Sequence, residues 1–278
     1  MKSWNKSCFL QKPLKIIKFT PELEYKLVTF NNAKKKFITK FPLIKNVKTE
    51  ADLKKLKMTK IGLYSGALIE IGETFYKILK EFYGADGLKK MVITDGNGGV
   101  GGMSIHLVEK CKFLNIIELN PHHVVVIKHN LDTYGFDHKK YKIYNDDSME
   151  KMFELDQDII ILDPPWGGTD YYGKKSIKLG FNNVNIVCIL NKLIKENKFK
   201  CCLLLVPWNF NFNNFMSKVK SKSITIYHIY GLEKKNSYVV SIINDNKPKT
   251  SNNRRKLQKV KSIKNNTNKS VKKKNKKK

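Results

Sequence analysis

The hexapeptide Asp163-Pro164-Pro165-Trp166-Gly167-Gly168 sets a carboxylate three residues from an indole, with two prolines between them. Each proline fixes its own φ at about −65° and confines the residue before it to extended backbone, so acid and ring have few relative orientations. A stiff acid beside a flat aromatic suits methyl transfer to a planar amino group. The exocyclic amine of a nucleobase is a poor nucleophile, because its lone pair is delocalised into the ring. Asp163 and a neighbouring backbone carbonyl could accept its N–H bonds. Trp166 could stack on the base and hold the amine close to in line with an activated methyl, which is catalysis by positioning. Taken alone, the hexapeptide also describes a proline-rich turn with a core tryptophan and an N-capping aspartate.

The elements around it must bring that acid to a sheet edge. Ile159–Leu162 is a short apolar, β-branched run ending at Asp163, the pattern of a buried strand. Upstream, Leu68, Ile71, Phe75, Ile78, Leu79 and Phe82 follow helical spacing through residues 65–84, and Gly84 stops them. A first strand, Met91–Asp95, feeds the glycine-rich turn 96–102, and Met103–Lys110 reads as the helix behind it. Strand, glycine turn and helix are the opening of a nucleotide-binding, Rossmann-like α/β fold, whose ligands lie beyond the carboxyl ends of the strands. Asp95, Asn97, Gly98, Gly99 and Gly101 stand in or beside that turn as candidate cofactor contacts.

The second strand, Phe113–Ile117, ends at Glu118, placed to grip ribose hydroxyls or else to cap the helix that starts at Pro121. That helix runs to Gly135, a third strand covers 141–144, and Asp146 and Asp147 follow where an adenine amino group would look for an acceptor. After the Asp163 strand come a basic, aromatic loop through Phe181, a helix over 184–196 and a strand over 201–206. That strand ends at Pro207-Trp208-Asn209, a second aromatic at the same edge, and segments 223–230 and 237–243 read as closing antiparallel strands.

Charge divides the chain into three. The formal net charge is +30, and residues 247–278 carry 15 Lys/Arg with no acid. Residues 1–57 carry 15 Lys against four acids, while 58–246 are nearly balanced, 24 against 20. The middle is therefore the globular domain, 1–57 a basic accessory extension that packs on it or closes over ligand, and 247–278 a disordered Lys-rich tail. Within the extension, 14–19 resembles a strand, and Thr20 followed by Pro21 a helix start. Such a field attracts polyanions, so contact with nucleic acid is expected, an anionic membrane surface being the lesser competitor. The five cysteines show neither CxxC spacing nor a histidine set, so reduced thiols are expected, with no metal and no disulfide framework. No apolar run approaches the roughly 18 residues of a membrane span, and an intracellular protein, nuclear or cytoplasmic, is expected.

With those residues in place, 60–240 resembles the trimethylguanosine synthase family, the RNA cap guanine amino methyltransferases. Thr94-Asp95 with Gly98–Gly102 resembles the family's aspartate and GVGG loop, and Glu118-Leu119-Asn120-Pro121 stands where the family has Asp-Ile-Asp-Pro. The block 129–135, containing Asn130 and ending Tyr-Gly, and the Asp-Pro-Pro-Trp-Gly-Gly signature are similar too, as is Leu63-Tyr64-Ser65 to a Leu-Phe-Ser segment. Departures are Gly96-Asn97 in place of Phe-Cys, Met103-Ser104 in place of Asn-Thr, and Thr169 in place of Pro.

The resemblance implies a seven-stranded class I methyltransferase sheet, S-adenosylmethionine as cofactor, and 7-methylguanosine at an RNA 5′ cap as substrate. It would put Asp95 at the methionine end of the donor, Glu118 on its ribose, and Asn130 and Asp147 on the adenine side. Trp166 would stack on the cationic purine and Asp163 orient its amine, with Pro164 stiffening the catalytic turn. Pro165, Trp208, Asn209 and Tyr64 complete the expected substrate face. A compact catalytic core, as viruses and unicellular parasites encode, and a monomer fit this picture. Two other readings compete: an adenine amino methyltransferase, since DPPW serves those enzymes as well, and a catalytically silent RNA-binding protein on the same fold.

Overall fold

The computed structural model describes residues 4–10, 25–229 and 237–244, and the backbone of Val260–Ile263. Seven strands form the sheet: β1 (Val92–Asp95), β2 (Phe113–Glu118), β3 (Tyr141–Asn145), β4 (Ile159–Leu162), β5 (Cys201–Pro207), β6 (Ser223–Ile229) and β7 (Ser237–Ile243). Their order is β3-β2-β1-β4-β5-β7-β6, with β7 the antiparallel member. The chain leaves β1 toward one edge and returns at β4 toward the other. The carboxyl ends of β1 and β4 therefore sit side by side at the point where strand order reverses, which is where open α/β sheets bind ligands.

Helices cover both faces: α1 (Phe30–Lys40), α2 (Ile69–Leu88), α3 (Gly102–Leu107), α4 (Pro121–Tyr134), α5 (Ser148–Glu154), α6 (Ile186–Lys195) and α7 (Phe212–Lys218). With both faces covered, β4 and β5 are apolar at every position, and alternate residues serve opposite cores. Ile159 and Ile161 join a cluster with Phe75, Ile78 and Leu79 of α2 and Ile127 and Leu131 of α4. Ile160 and Leu162 join one with Met152 and Phe153 of α5 and Ile189, Leu190 and Leu193 of α6.

Local signals set the element ends. Gly84 breaks α2 with φ 71, as its conformational freedom requires, and a last turn follows to Leu88. Asn120 caps α4 by accepting from the His122 N–H, Pro121 occupies its first turn, and Gly135 closes it in the left-handed region. The helix expected from Val184 begins instead at Ile186. Asn182 and Asn183 adopt positive φ and turn Gly180–Phe181 against Val184–Asn185 as a small ribbon, whose last residue becomes the cap.

The extension does not lie apart from the sheet. Phe37 of α1 and Phe41 just beyond it, with Val47, Leu53 and Leu56, are buried in the same cluster as β1 and β4, and Tyr134 donates its hydroxyl to the Pro42 carbonyl. The strand read at 14–19 and the helix start at Pro21 lie outside the described residues.

Two expectations are corrected. Cys8 and Cys188 are joined as a disulfide with their Cα atoms 5.7 Å apart, within bridging reach, although 180 residues separate them. The sequence reading, built on short spacings, had both as free thiols. The backbone of β8 (Val260–Ile263) pairs parallel to β6 at 226–229, so the segment read as wholly structureless adds an edge strand. The remainder of the tail lies outside the described residues.

Candidate active site

A narrow cavity, continuous with solvent, opens between the ends of β1 and β4. Among its lining residues are Asp95, Asn97, Gly98, Gly99 and Asp163, five of the residues singled out in the sequence, with Ser65, Gly66 and Ala67 forming a further wall. Asp95 is buried and takes the Ser104 hydroxyl at 2.7 Å and the Asn97 N–H at 3.2 Å. The Asn97 side-chain carbonyl accepts from the Asp163 N–H at 3.0 Å, so one amide fastens the glycine loop to the Asp-Pro-Pro turn.

Gly98 is needed for fit: a Cβ there would come within 2.8 Å of both Ile116 and Ile127. The loop is thereby pressed onto the core, leaving its outer surface for ligand. Gly99 takes φ +56 and turns its N–H onto Glu118 at 2.7 Å.

Two carboxyl groups face one cavity. Burial pushes Asp163 up to about 7, with the Asp95 charge adding to the rise and Lys40 opposing it. Asp163 keeps partial exposure to the cavity, but protein atoms crowd its carboxyl. Burial likewise raises Asp95 to about 6, against the Ser104 and Asn97 hydrogen bonds. A sulfonium cation fits a cavity with two such acids on its wall, since it restores the charge balance that desolvation disfavours.

Several residues read as ligand contacts serve the framework. Asn130 is fully buried, and its amide is bonded to backbone: the side-chain NH₂ to the Lys57 and Val100 carbonyls, the oxygen to the Lys57 N–H. It braces the glycine loop and does not line the cavity. Asn130→Ala is therefore expected to lower stability by about 2–3 kcal/mol, since the buried Val100 carbonyl and two partly buried backbone groups of Lys57 lose partners; chemical denaturation measures it. Asp147 caps α5 through the Met149 N–H and receives the Asn182 amide, while Asp146 pairs with Lys151 at 3.0 Å. Asn209 is buried and donates to the carbonyls of Tyr171 and Lys174 at 2.8 and 2.7 Å, strapping the loop after the Pro-Pro-Trp turn to the end of β5. These contacts use the amides and acids for local hydrogen bonding, a preference that residue type does not reveal.

Glu118 is held by its own backbone surroundings, while the cap of α4 is Asn120. One oxygen takes the Gly99 N–H and the other the Asn120 N–H at 2.8 Å, with His123 Nδ1 at 3.6 Å. His123 continues to the Thr59 hydroxyl at 3.0 Å.

Beyond Asp163, the residues Pro164, Pro165 and Trp166 do not line the cavity; Pro164 is buried and Pro165 exposed. Trp166 is half-buried, packs against both cores, and meets Tyr171 edge-on at 5.3 Å. Its Nε1 is buried without a hydrogen-bond partner among the described residues. Tyr171 stacks on Tyr172 at 4.1 Å. Tyr64 and Trp208 are exposed, at 79% and 39%, and neither lines the cavity. The residue missed by sequence reading is Lys40, buried at the end of α1, whose Nζ donates to the Gly66 carbonyl. No local pattern marks it; it reads as one more lysine in a basic run.

The sequence profile of the RNA cap guanine-N2 methyltransferases matches residues 90–271, well over half of the chain. The chain belongs to that family. It is similar to an uncharacterized protein, L320, of Acanthamoeba polyphaga mimivirus, at 34% identity over 145 residues, 51% of this chain and 56% of that protein. It is also similar to the trimethylguanosine synthase of Schizosaccharomyces pombe, at 29% identity over 105 residues, 36% of this chain and 43% of that one. The chain thus spans about half the length of the curated relatives it matches. Among solved structures, the T. thermophilus 16S rRNA N2 G1207 methyltransferase RsmC, in complex with AdoMet and guanosine, has a TM-score of 0.49 at 14% identity. That match covers 66% of this chain and 45% of RsmC. Among the described residues, no helix is long and apolar enough to cross a membrane, and no group of three His, Cys, Asp or Glu could hold a metal ion.

Proposed function

We propose that this chain methylates the exocyclic amino group of 7-methylguanosine at RNA 5′ caps. The observation that carries the reading is the stiff Asp163–Trp166 turn, whose acid lines the cavity, inside the segment matched by the cap guanine-N2 family. Bound S-adenosylmethionine supplies an electrophilic methyl group. Asp95, Asn97 and the glycine loop hold the donor, with Glu118 turning from the Gly99 N–H toward its ribose. Trp166 offers an electron-rich face to the positively charged purine, and Asp163 accepts the amine N–H bonds. An acid whose protonation lies near neutrality also takes a proton from the methylated nitrogen more readily than an ordinary carboxylate does. Orientation carries most of the rate, because direct displacement needs alignment more than a strong base.

The test is labelled-donor transfer to a 7-methylguanosine cap dinucleotide, to its unmethylated counterpart and to adenine-containing oligonucleotides, followed by digestion to nucleosides. Label on the guanine amino group of the 7-methylated cap alone is the expected result. Label on adenine would make this an adenine amino methyltransferase, and donor binding without transfer to any acceptor would leave a silent RNA-binding protein.

The basic tail adds an RNA contact of another kind. Removing residues 264–278, eight lysines with no acid, leaves β8 in place. Binding to long RNA is expected to weaken and its salt dependence to flatten between about 50 and 200 mM, with cap dinucleotide affinity unchanged. Filter binding across that salt range measures it; an unaltered slope would leave the tail without an RNA role.

A further inference from the structure

Lys40 is the last residue of α1 and is only 3% exposed. Its Nζ donates to the Gly66 carbonyl, and its stem runs so close that a Cβ on Gly66 would lie 3.4 Å from Lys40 Cδ. Gly66 is part of the cavity wall. Phe37 and Phe41, buried on either side of Lys40 in sequence, hold the helix end in place. A buried ammonium is unfavourable unless opposite charge lies within reach. The acids of this cavity supply it. Gly66, to whose carbonyl Lys40 donates, lines the same cavity as Asp95 and Asp163. At Asp163 the Lys40 charge opposes the rise that burial and Asp95 cause, Asp163 acts in turn on Tyr171, and Glu118 acts on Asp95.

We propose that Lys40 is a positioning residue, the internal counter-charge of the donor cavity, which pins the Ser65–Ala67 wall through the Gly66 carbonyl and holds negative charge on Asp163. The segment that precedes the sheet is then a working part of the site. The inference rests on S-adenosylmethionine being the donor, and not on which base is methylated.

Lys40 acts on donor binding in two opposed ways. It favours the ionised form of Asp163, which attracts the sulfonium, and it is itself a like charge near that sulfonium. A neutral residue at 40 therefore weakens donor binding where Asp163 is only partly ionised and spares it where Asp163 is fully ionised. A residue that only props the wall has no such pH dependence.

Calorimetric titration of the full chain with S-adenosylmethionine from pH 6 to pH 8.5 tests this. Lys40→Arg is expected to follow the unaltered protein. Lys40→Met is expected to bind roughly five- to ten-fold more weakly at pH 6.5 and within about two-fold at pH 8.5. Should the methionine variant not fold, Lys40→Gln serves as the second neutral substitution with the same expectation. Equal weakening at every pH, or no change at any, overturns the proposal. No acceptor enters the measurement, so its failure leaves the cap reading standing, and a pH-dependent donor affinity in a protein that methylates no cap would overturn that reading alone.

Discussion

Asp163→Asn is expected to lower turnover by at least about 100-fold and, in the donor-free protein, to raise thermal stability at pH 8. Both effects come from one carboxyl. Burial, the neighbouring Asp95 charge and the partial offset from Lys40 leave its folded-state value at about 7, against 3.8 for an ordinary aspartate. A group raised in this way favours folding below the unfolded value, and that contribution is lost as pH rises through the folded value. At pH 8 the chain therefore folds around an ion in a poorly solvated place. Asparagine keeps the shape without the charge and should recover about 3 kcal/mol there, with no gain near pH 3.5. For a domain of this size that is several degrees in melting temperature. Turnover in the unaltered protein should move the other way, falling as pH drops below about 7 and the carboxyl is protonated. Melting curves at both pH values, with a rate profile, check the pair. Equal melting temperatures at pH 8 would mean that the carboxyl is better solvated than its surroundings imply.

Trp166→Phe is expected to separate substrate recognition from donor binding. The indole packs against both cores, so Trp166→Ala would disturb the sheet edge as well as the turn after Asp163. Phenylalanine keeps most of the packing and lowers the electron density of the ring face. The preference for the 7-methylated over the unmethylated cap should then fall about ten-fold, in line with the loss of a strong cation–π contact. S-adenosylmethionine affinity should stay within about two-fold. A fall in donor and cap affinity together would identify the indole as a core prop whose face never meets the purine. Its edge-on contact with Tyr171 and its inward Nε1 make that comparison informative, because both hold one side of the ring against protein.

Much of the framework was legible because it is written locally. Apolar runs bounded by turn residues gave the strands that carry Asp95, Glu118 and Asp163. Pro121 and Gly135 marked both ends of α4, and the glycine turn announced the cavity loop. What escaped was pairing across distance. Cys8 meets Cys188 and Lys40 reaches Gly66 because α1 and the first described residues fold back onto the domain, and no spacing rule reports that. The other weakness was chemical. Asn130 and Asn209 carry the groups a ligand contact needs, but buried amides are usually bonded to the chain itself, and here backbone carbonyls take them. Tyr64 matched a segment of the family but stands open to solvent, because only its neighbours Ser65 to Ala67 turn into the cavity.

Glu118 occupies a place where the family has aspartate, and the extra methylene changes what a swap between the two acids would mean. The longer arm spans from the amide of Gly99 to that of Asn120, stitching the glycine loop to the start of α4. A shorter acid here would have to give up one end of that stitch. If Glu118 takes the donor's ribose, as proposed, it has first to let go of one of these two amides.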